Sequence, residues 1–177
     1  MMSQNKYKEM VSGKLGLFFM TLMVFVLTAN CQETSRKVDQ EKLQKSSDGV
    51  RIVSEDFKDF EIELSEEDWK KRLDKDAYYV LREQGTEYAF SGELNKNYKK
   101  GTYYSAATMQ PLFSSETKFD SGTGWPSYYA PIDENAVLIV KDTKYGMIRW
   151  EVVDSKSGSH LGHVFDDGPA PTEKRYC

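Results

Sequence analysis

Between Phe90 and the C-terminus the apolar residues come only in short runs, such as Thr102 to Ala106, Ala136 to Val140, Met147 to Val153 and Leu161 to Phe165, each bounded by turn residues. Runs of this length and composition read as β-strands. The DTKYG segment from Asp142 to Gly146 would join two of them as a hairpin. Upstream, Ser65 followed by Asp68 marks a capped helix start, and Trp69, Leu73, Ala77 and Leu81 recur every four residues as one buried stripe. Asp74 suits the cap of a second short helix, and Gly85 ends the stretch. Short helices followed by antiparallel strands predict a mainly β (α+β) domain. No internal repeat, phosphate-binding glycine loop or nucleotide-binding fingerprint interrupts this pattern.

The chain ahead of the domain has a different character. Lys6, Lys8 and Lys14 precede an apolar run from Leu15 to Ala29, the charge-then-apolar order of a secretory signal. The run is shorter than the ~20 residues of a membrane-spanning helix. Cys31 follows it directly, so residues 1–31 resemble a bacterial lipoprotein signal in which Cys31 becomes the acylated first residue. An uncleaved anchor and an ordinary cleaved signal are the alternatives. Residues 32–56 are polar and without apolar periodicity, as expected of a flexible tether. Val53, Phe57, Phe60 and Ile62 mark where the chain first touches the domain, which is expected over residues 57–177. The expected location is outside the cytoplasm, on a bacterial membrane facing the periplasm or the cell exterior. A net charge of -4 without a basic stripe argues against nucleic acid as a partner. Two cysteines in 177 residues exclude a disulfide-rich scaffold.

The last stretch, from Ser157 to Cys177, holds both histidines of the chain, His160 and His163, and one of its two cysteines. A thiol acts as a nucleophile through its thiolate, which a nearby cation or imidazole favours. Arg175 lies two residues before Cys177 and shares its face in an extended strand. His160 and His163, three residues apart, fall on opposite faces of a regular strand but converge if the chain bends, and Gly162 lies between them. One reading is a cysteine nucleophile with an arginine and two imidazoles. Plain core or surface packing is the competing one, and metal capture by His160, His163 and Cys177 is another.

Four segments then fall into one order: FSGEL at Phe90 to Leu94, PLFSSETKFDSGTGWPS at Pro111 to Ser127, GSHLGHVFDDGPAPT at Gly158 to Thr172, and RYC at Arg175 to Cys177. Together they resemble the B-type methionine sulfoxide reductases, which reduce the R epimer of methionine sulfoxide in proteins. The resemblance covers about Leu64 to Cys177. It implies two antiparallel β-sheets in a small barrel-like arrangement with short N-terminal helices. It also implies that Cys177 is the catalytic nucleophile, that Arg175 favours its thiolate, and that His160 and His163 orient and protonate the sulfoxide oxygen. Trp125 would pack against the substrate methyl group, and Asp167 would steady a histidine. A tryptophan between Gly124 and Pro126 equally suits a plug in the core, and Asp166, Asp167 and Gly168 a solvated turn.

Departures from the family pattern carry further expectations. Many members hold a structural zinc on two CxxC pairs, whose places here are Ser105, Thr108, Asp154 and Ser157. One carboxylate and three hydroxyls do not make the sulfur-rich site zinc prefers, so no zinc or other cofactor is expected. Many members also carry a resolving cysteine where this chain has Thr123, which cannot exchange with a disulfide. Reducing equivalents are therefore expected from a thioredoxin-like protein or another dithiol. The family pattern continues past the catalytic cysteine through a further strand, so the domain is expected to lack its last strand. An inactive lipoprotein that only binds the sulfoxide is the alternative outcome.

Overall fold

Ser65 and Asp74 start the two helices. In the computed structural model, which describes residues 44–143 and 146–177, helix α1 spans Glu66–Arg72 and helix α2 spans Lys75–Glu83. The Asp68 amide donates to Ser65 Oγ at 3.2 Å and the Ala77 amide to Asp74 Oδ1 at 2.8 Å, each satisfying a donor the helix itself leaves unpaired. α1 carries Glu66, Glu67 and Asp68 in its first turn and Lys70, Lys71 and Arg72 in its last, in the order the helix dipole favours. The expected stripe is the buried one: Trp69, Leu73 and Leu81 form a cluster with Ala107, and Ala77 packs against it. The end of α2 differs from expectation. The left-handed residue is Gln84, at φ 57°, rather than Gly85. A Cβ at Gly85 would lie 2.2 Å from the Tyr79 ring, so a larger residue there requires that exposed ring to move.

Among the described residues strand β1, Ile52–Val53, precedes the helices and eight follow them: β2 Thr102–Tyr104, β3 Pro111–Ser114, β4 Lys118–Phe119, β5 Ser127–Tyr128, β6 Val137–Asp142, β7 Arg149–Asp154, β8 His160–Phe165 and β9 Arg175–Tyr176. Seven form one sheet in the order β1-β6-β7-β8-β9-β5-β4, and β2 pairs with β3 in a second. The fold is mainly β with two short helices and two sheets, as the sequence predicts. Two details depart from the expected arrangement. The large sheet is not closed, having β1 and β4 as its edges. Its β1–β6 pairing is parallel, which the long connection from Val53 to Val137 allows. Residues 144 and 145, inside the expected hairpin turn, lie outside the described residues, but β6 and β7 on either side pair antiparallel from Val137↔Asp154 to Asp142↔Arg149.

The large sheet buries both faces. One is packed by Val137, Ile139, Val152, Val164, Tyr128 and Tyr176 together with Val50, Leu112 and Phe113. The Phe113 and Tyr128 rings stack with centroids 4.4 Å apart. The other face starts apolar, where Leu138 and Val153 meet Val53, Phe57 and Phe60. Burial of a side chain such as Leu138, 1% exposed, contributes about 2 kcal/mol. Farther along the same face the residues become polar, and that change locates the site.

The tether expected to run to about residue 56 is corrected over its described part. Val50 is fully buried, Val53 nearly so, and the Tyr176 hydroxyl donates to Asp48. Apolar residues at 50, 52 and 53 were enough to anchor this segment, although they show no periodicity. The signal segment, Cys31 and the tether up to residue 43 lie outside the described residues. Among the described residues no helix is long and apolar enough to cross a membrane.

Candidate active site

A bulge brings the two histidines together. Along β7 and β8 the register runs Glu151↔His163 and Val152↔Gly162, then slips so that Val153 faces His160 and Leu161 is the extra residue. The slip turns His160 onto the face that carries His163, and their ring centroids stand 5.5 Å apart. Leu161 turns into the apolar interior, where it touches both the main core and the helix cluster. Gly162 has φ 147°, and a Cβ on it would sit 1.9 Å from the Cys177 carbonyl oxygen. The expected bend at Gly162 is thus real, and the glycine also serves a close backbone approach.

Cys177 extends β9. Its amide donates to the His163 carbonyl at 2.9 Å and its carbonyl accepts from the His163 amide at 3.0 Å. Residues that exchange both bonds lie directly opposite, so the Cys177 and His163 side chains share a face. The Cys177 thiol is a free thiol, half-buried, with Thr123 Oγ1 3.9 Å from its sulfur. Thr123 is linked through Ser121 to the fully buried Ser127, with oxygens 2.8 and 2.7 Å apart. Thr123 therefore meets the Cys177 sulfur as a hydroxyl.

Arg175 is buried two residues before Cys177, and Asp167 grips it with both oxygens, from Nε at 2.8 Å and Nη2 at 2.9 Å. Its Cζ lies 4.2 Å from the Phe165 ring centroid. The Asp167 hydrogen bonds push the guanidinium above its ordinary value against the effect of burial, and charge at Cys177 adds to the rise. The same pairing holds the Asp167 carboxyl below the usual range. The expectation that Asp167 steadies a histidine is corrected: the turn after β8 folds Asp167 back onto β9, where a fork-shaped cation is the better partner.

The histidines are braced by two residues not anticipated from the sequence. His160 Nδ1 lies 2.6 Å from Glu151 Oε1, and His163 Nε2 lies 3.2 Å from Asp142 Oδ2. Glu151 Oε1 also accepts from Gln84 Nε2 at 3.0 Å, and Asp142 Oδ2 from Arg149 Nη2 at 2.6 Å. Arg149 and Glu151 alternate along β7 with the apolar Trp150 and Val152, and a charge inside such a strand was the available signal. Trp125, half-buried, donates from Nε1 to the Glu87 carbonyl at 3.0 Å, and the Phe90 amide donates to the Gly124 carbonyl at 2.8 Å. These two bonds fix the loop carrying Thr123 and Trp125 to the segment after α2.

Burial holds the His163 pKa below the ordinary 6.5, with Arg149 and His160 adding to the fall and Asp142 opposing it. The unfolded chain therefore takes up this proton first, and the stability contributed by neutral His163 is present above that value and lost as pH falls through it. Melting temperature is expected to decline from neutrality to about pH 5, and to decline less in His163→Asn. Parallel declines in the two proteins would refute the coupling.

Ser105, Thr108, Asp154 and Ser157, the positions at which the resemblance raises the question of zinc, do not suit that metal. Asp154, fully buried, accepts from Thr108 Oγ1 at 2.7 Å on one oxygen, and from Gln110 Nε2 at 2.9 Å and the Lys156 amide at 2.8 Å on the other. Ser105 Oγ accepts from the Ala107 and Thr108 amides, and Ser157 bonds Ser159 at 2.9 Å. A closed hydrogen-bonded cluster leaves hydroxyls and one committed carboxylate, which is not a zinc donor set. Among the described residues no group of three or more His, Cys, Asp and Glu side chains is gathered to hold a metal, so the alternative of metal capture by His160, His163 and Cys177 gains no support.

Residues 73–177 match the SelR domain. The chain is 60% identical over 116 residues to the peptide methionine sulfoxide reductase MsrB of Methanosarcina barkeri (strain Fusaro / DSM 804), covering 66% of this chain and 82% of that protein. It is 54% identical over 118 residues to the MsrB of Leptospira interrogans serogroup Icterohaemorrhagiae serovar Lai (strain 56601), covering 67% and 90%. With the MsrB of Pseudomonas putida (strain GB-1) the identity is 50% over 116 residues, covering 66% and 88%. A half-buried thiol facing a pair of imidazoles, on a chain with this likeness, leads to one conclusion: the chain belongs to the SelR-domain family, the MsrB-type peptide-methionine (R)-S-oxide reductases.

Proposed function

We propose that this oxidoreductase returns methionine R-sulfoxide in proteins to methionine through Cys177. The observation that carries the reading is the polar end of the large sheet, where the Cys177 thiol shares a face with His163 and, through the bulge, with His160. The Cys177 thiolate attacks the sulfoxide sulfur and the sulfoxide oxygen passes to the cysteine with one proton. The sulfoxide is reduced by two electrons, and the cysteine is oxidised by two to a sulfenic acid. Arg175, kept in place by Asp167, favours the thiolate. His160 and His163 orient and protonate the oxygen, and the Trp125 ring receives the methyl group.

An external dithiol completes the cycle. One of its thiols displaces hydroxide from the sulfenic acid, water leaves, and its second thiol closes a disulfide and frees Cys177. A thioredoxin-like protein fits this role, because Thr123 offers the sulfur only a hydroxyl. A zinc-free state is supported by the hydroxyl-rich donor set around Asp154. Cys31 would carry the lipid that holds the domain on an exported membrane face, a reading supported by the apolar run before it.

The test is a single turnover on peptides carrying either sulfoxide epimer, with a sulfenic-acid trap present. One methionine per chain from the R epimer alone, with the trap on Cys177 and no product from Cys177→Ser, is the expected result. Product from the S epimer at a similar rate, or from Cys177→Ser, would sink the reading. Digestion of the same membrane-derived preparation should give an acylated Cys31 peptide, and an unmodified one would rule out the anchor.

A further inference from the structure

Glu151 is a buried carboxylate that the reaction as written does not use. It sits in β7 directly across from His163, yet its Oε1 reaches the other ring, at Nδ1 of His160, because of the bulge. The same oxygen accepts from Gln84, whose left-handed backbone closes α2 and lets its amide reach the sheet. An ionised carboxylate offers only lone pairs, so the proton between Glu151 and His160 belongs to Nδ1. His163 has the mirror arrangement. Its Nε2 faces Asp142, an oxygen that already accepts from the Arg149 cation. The groups facing the two rings are therefore Glu151 and Arg149 from β7, Asp142 from β6, Gln84 from the cap of α2, Cys177 at the end of β9, and each other from β8.

We propose that Glu151, steadied by Gln84, is a positioning residue of the reductase: it pins the His160 proton on Nδ1 and makes Nε2 the nitrogen that exchanges a proton with the substrate oxygen, while Asp142 pins His163 in the opposite tautomer. The proposal rests on the reductase reading for its consequence, but not for the tautomers. Two imidazoles 5.5 Å apart that commit different nitrogens present different atoms to one substrate oxygen. A sulfoxide oxygen needs one proton, and with Nδ1–H held by Glu151 that proton is taken up and given at His160 Nε2 alone, from the imidazolium form of the ring, since Nε2 of the neutral tautomer carries only a lone pair.

The chain has only two histidines, so ring-nitrogen NMR of the full chain labelled with 15N-histidine shows two spin systems. The expected spectrum at neutral pH has one ring as the Nδ1–H tautomer and the other as Nε2–H, with His163→Asn removing the second. Two Nε2–H rings would overturn the proposal. Glu151→Gln is expected to move the His160 signals and leave those of His163, and to lower kcat about tenfold or more with KM within about twofold. Unchanged His160 signals or wild-type kcat would overturn it. If Glu151→Gln does not fold, Gln84→Ala removes the second anchor of the carboxylate, and His160 signals indifferent to it count against the proposal. A parent chain with the expected tautomers and no R-sulfoxide turnover would reject the reductase reading while the tautomer assignment stands.

Discussion

Gly162→Ala is expected to remove nearly all reductase activity and to cost about 2–5 kcal/mol of stability. Its Cβ would lie 1.9 Å from the Cys177 carbonyl oxygen and 2.9 Å from the carbonyl carbon, and its φ of 147° is one that alanine avoids. The obstructing oxygen cannot swing aside cheaply, because it accepts the His163 amide in the bond that joins β8 to β9. The strands must part, and the thiol moves away from the imidazoles. A shift of about 1 Å at a reacting atom is enough for about a hundredfold loss in rate. Gly122→Ala is the control: φ is also positive, at 70°, but nothing lies within 4 Å of the added carbon, so only backbone strain of about 1 kcal/mol is expected. Urea melts and kcat/KM on the three proteins check this. Wild-type kcat/KM in Gly162→Ala would mean that β8 and β9 do not meet as described.

Asp154→Ala is expected to cost about 3–5 kcal/mol, read as a lower urea midpoint. The carboxylate is fully buried and three donors converge on it, from Thr108, Gln110 and the Lys156 amide. Each hydrogen bond to a charged group contributes roughly 1.5–3 kcal/mol, partly offset because the substitution also relieves a buried charge. Asp154→Asn keeps the shape and half the acceptors, and should fall between. Added zinc should restore neither variant, since Ser105, Thr108 and Ser157 bring hydroxyls rather than thiolates to the cluster. An alanine variant as stable as its parent would show that the cluster contributes nothing.

Periodicity made the helices and the longest strands legible, and contact made the rest. Ser65, Asp74 and the Trp69 to Leu81 stripe act locally, so they were readable without knowing what packs against them. β6, β7 and β8 are six residues each, long enough to show their composition. β4, β5 and β9 have two residues each and owe their pairing to the partner strands. Met147 and Ile148 were drawn into β7 by their apolarity but are exposed, and the strand begins at Arg149. At the site, the convergence of His160 and His163 was visible as a spacing with a glycine inside it. Their braces were not, because Glu151, Asp142 and Gln84 come from three other elements and only the register of the sheet brings them near. Asp167 was given the wrong partner for the same reason, since the turn that returns it to Arg175 has no signature in sequence beyond its polarity.

The strand that leads into Cys177 lies between β8 and β5 rather than at an edge of the sheet. A segment at an edge can peel away by itself, whereas one held on both sides leaves only when its neighbours do. The sulfur is half-buried, and the amide of Cys177 is bonded to the His163 carbonyl. Its exchange with solvent deuterium therefore reports the parting of this segment from β8. The residue on which the proposed chemistry turns doubles as a gauge of how firmly these strands are joined.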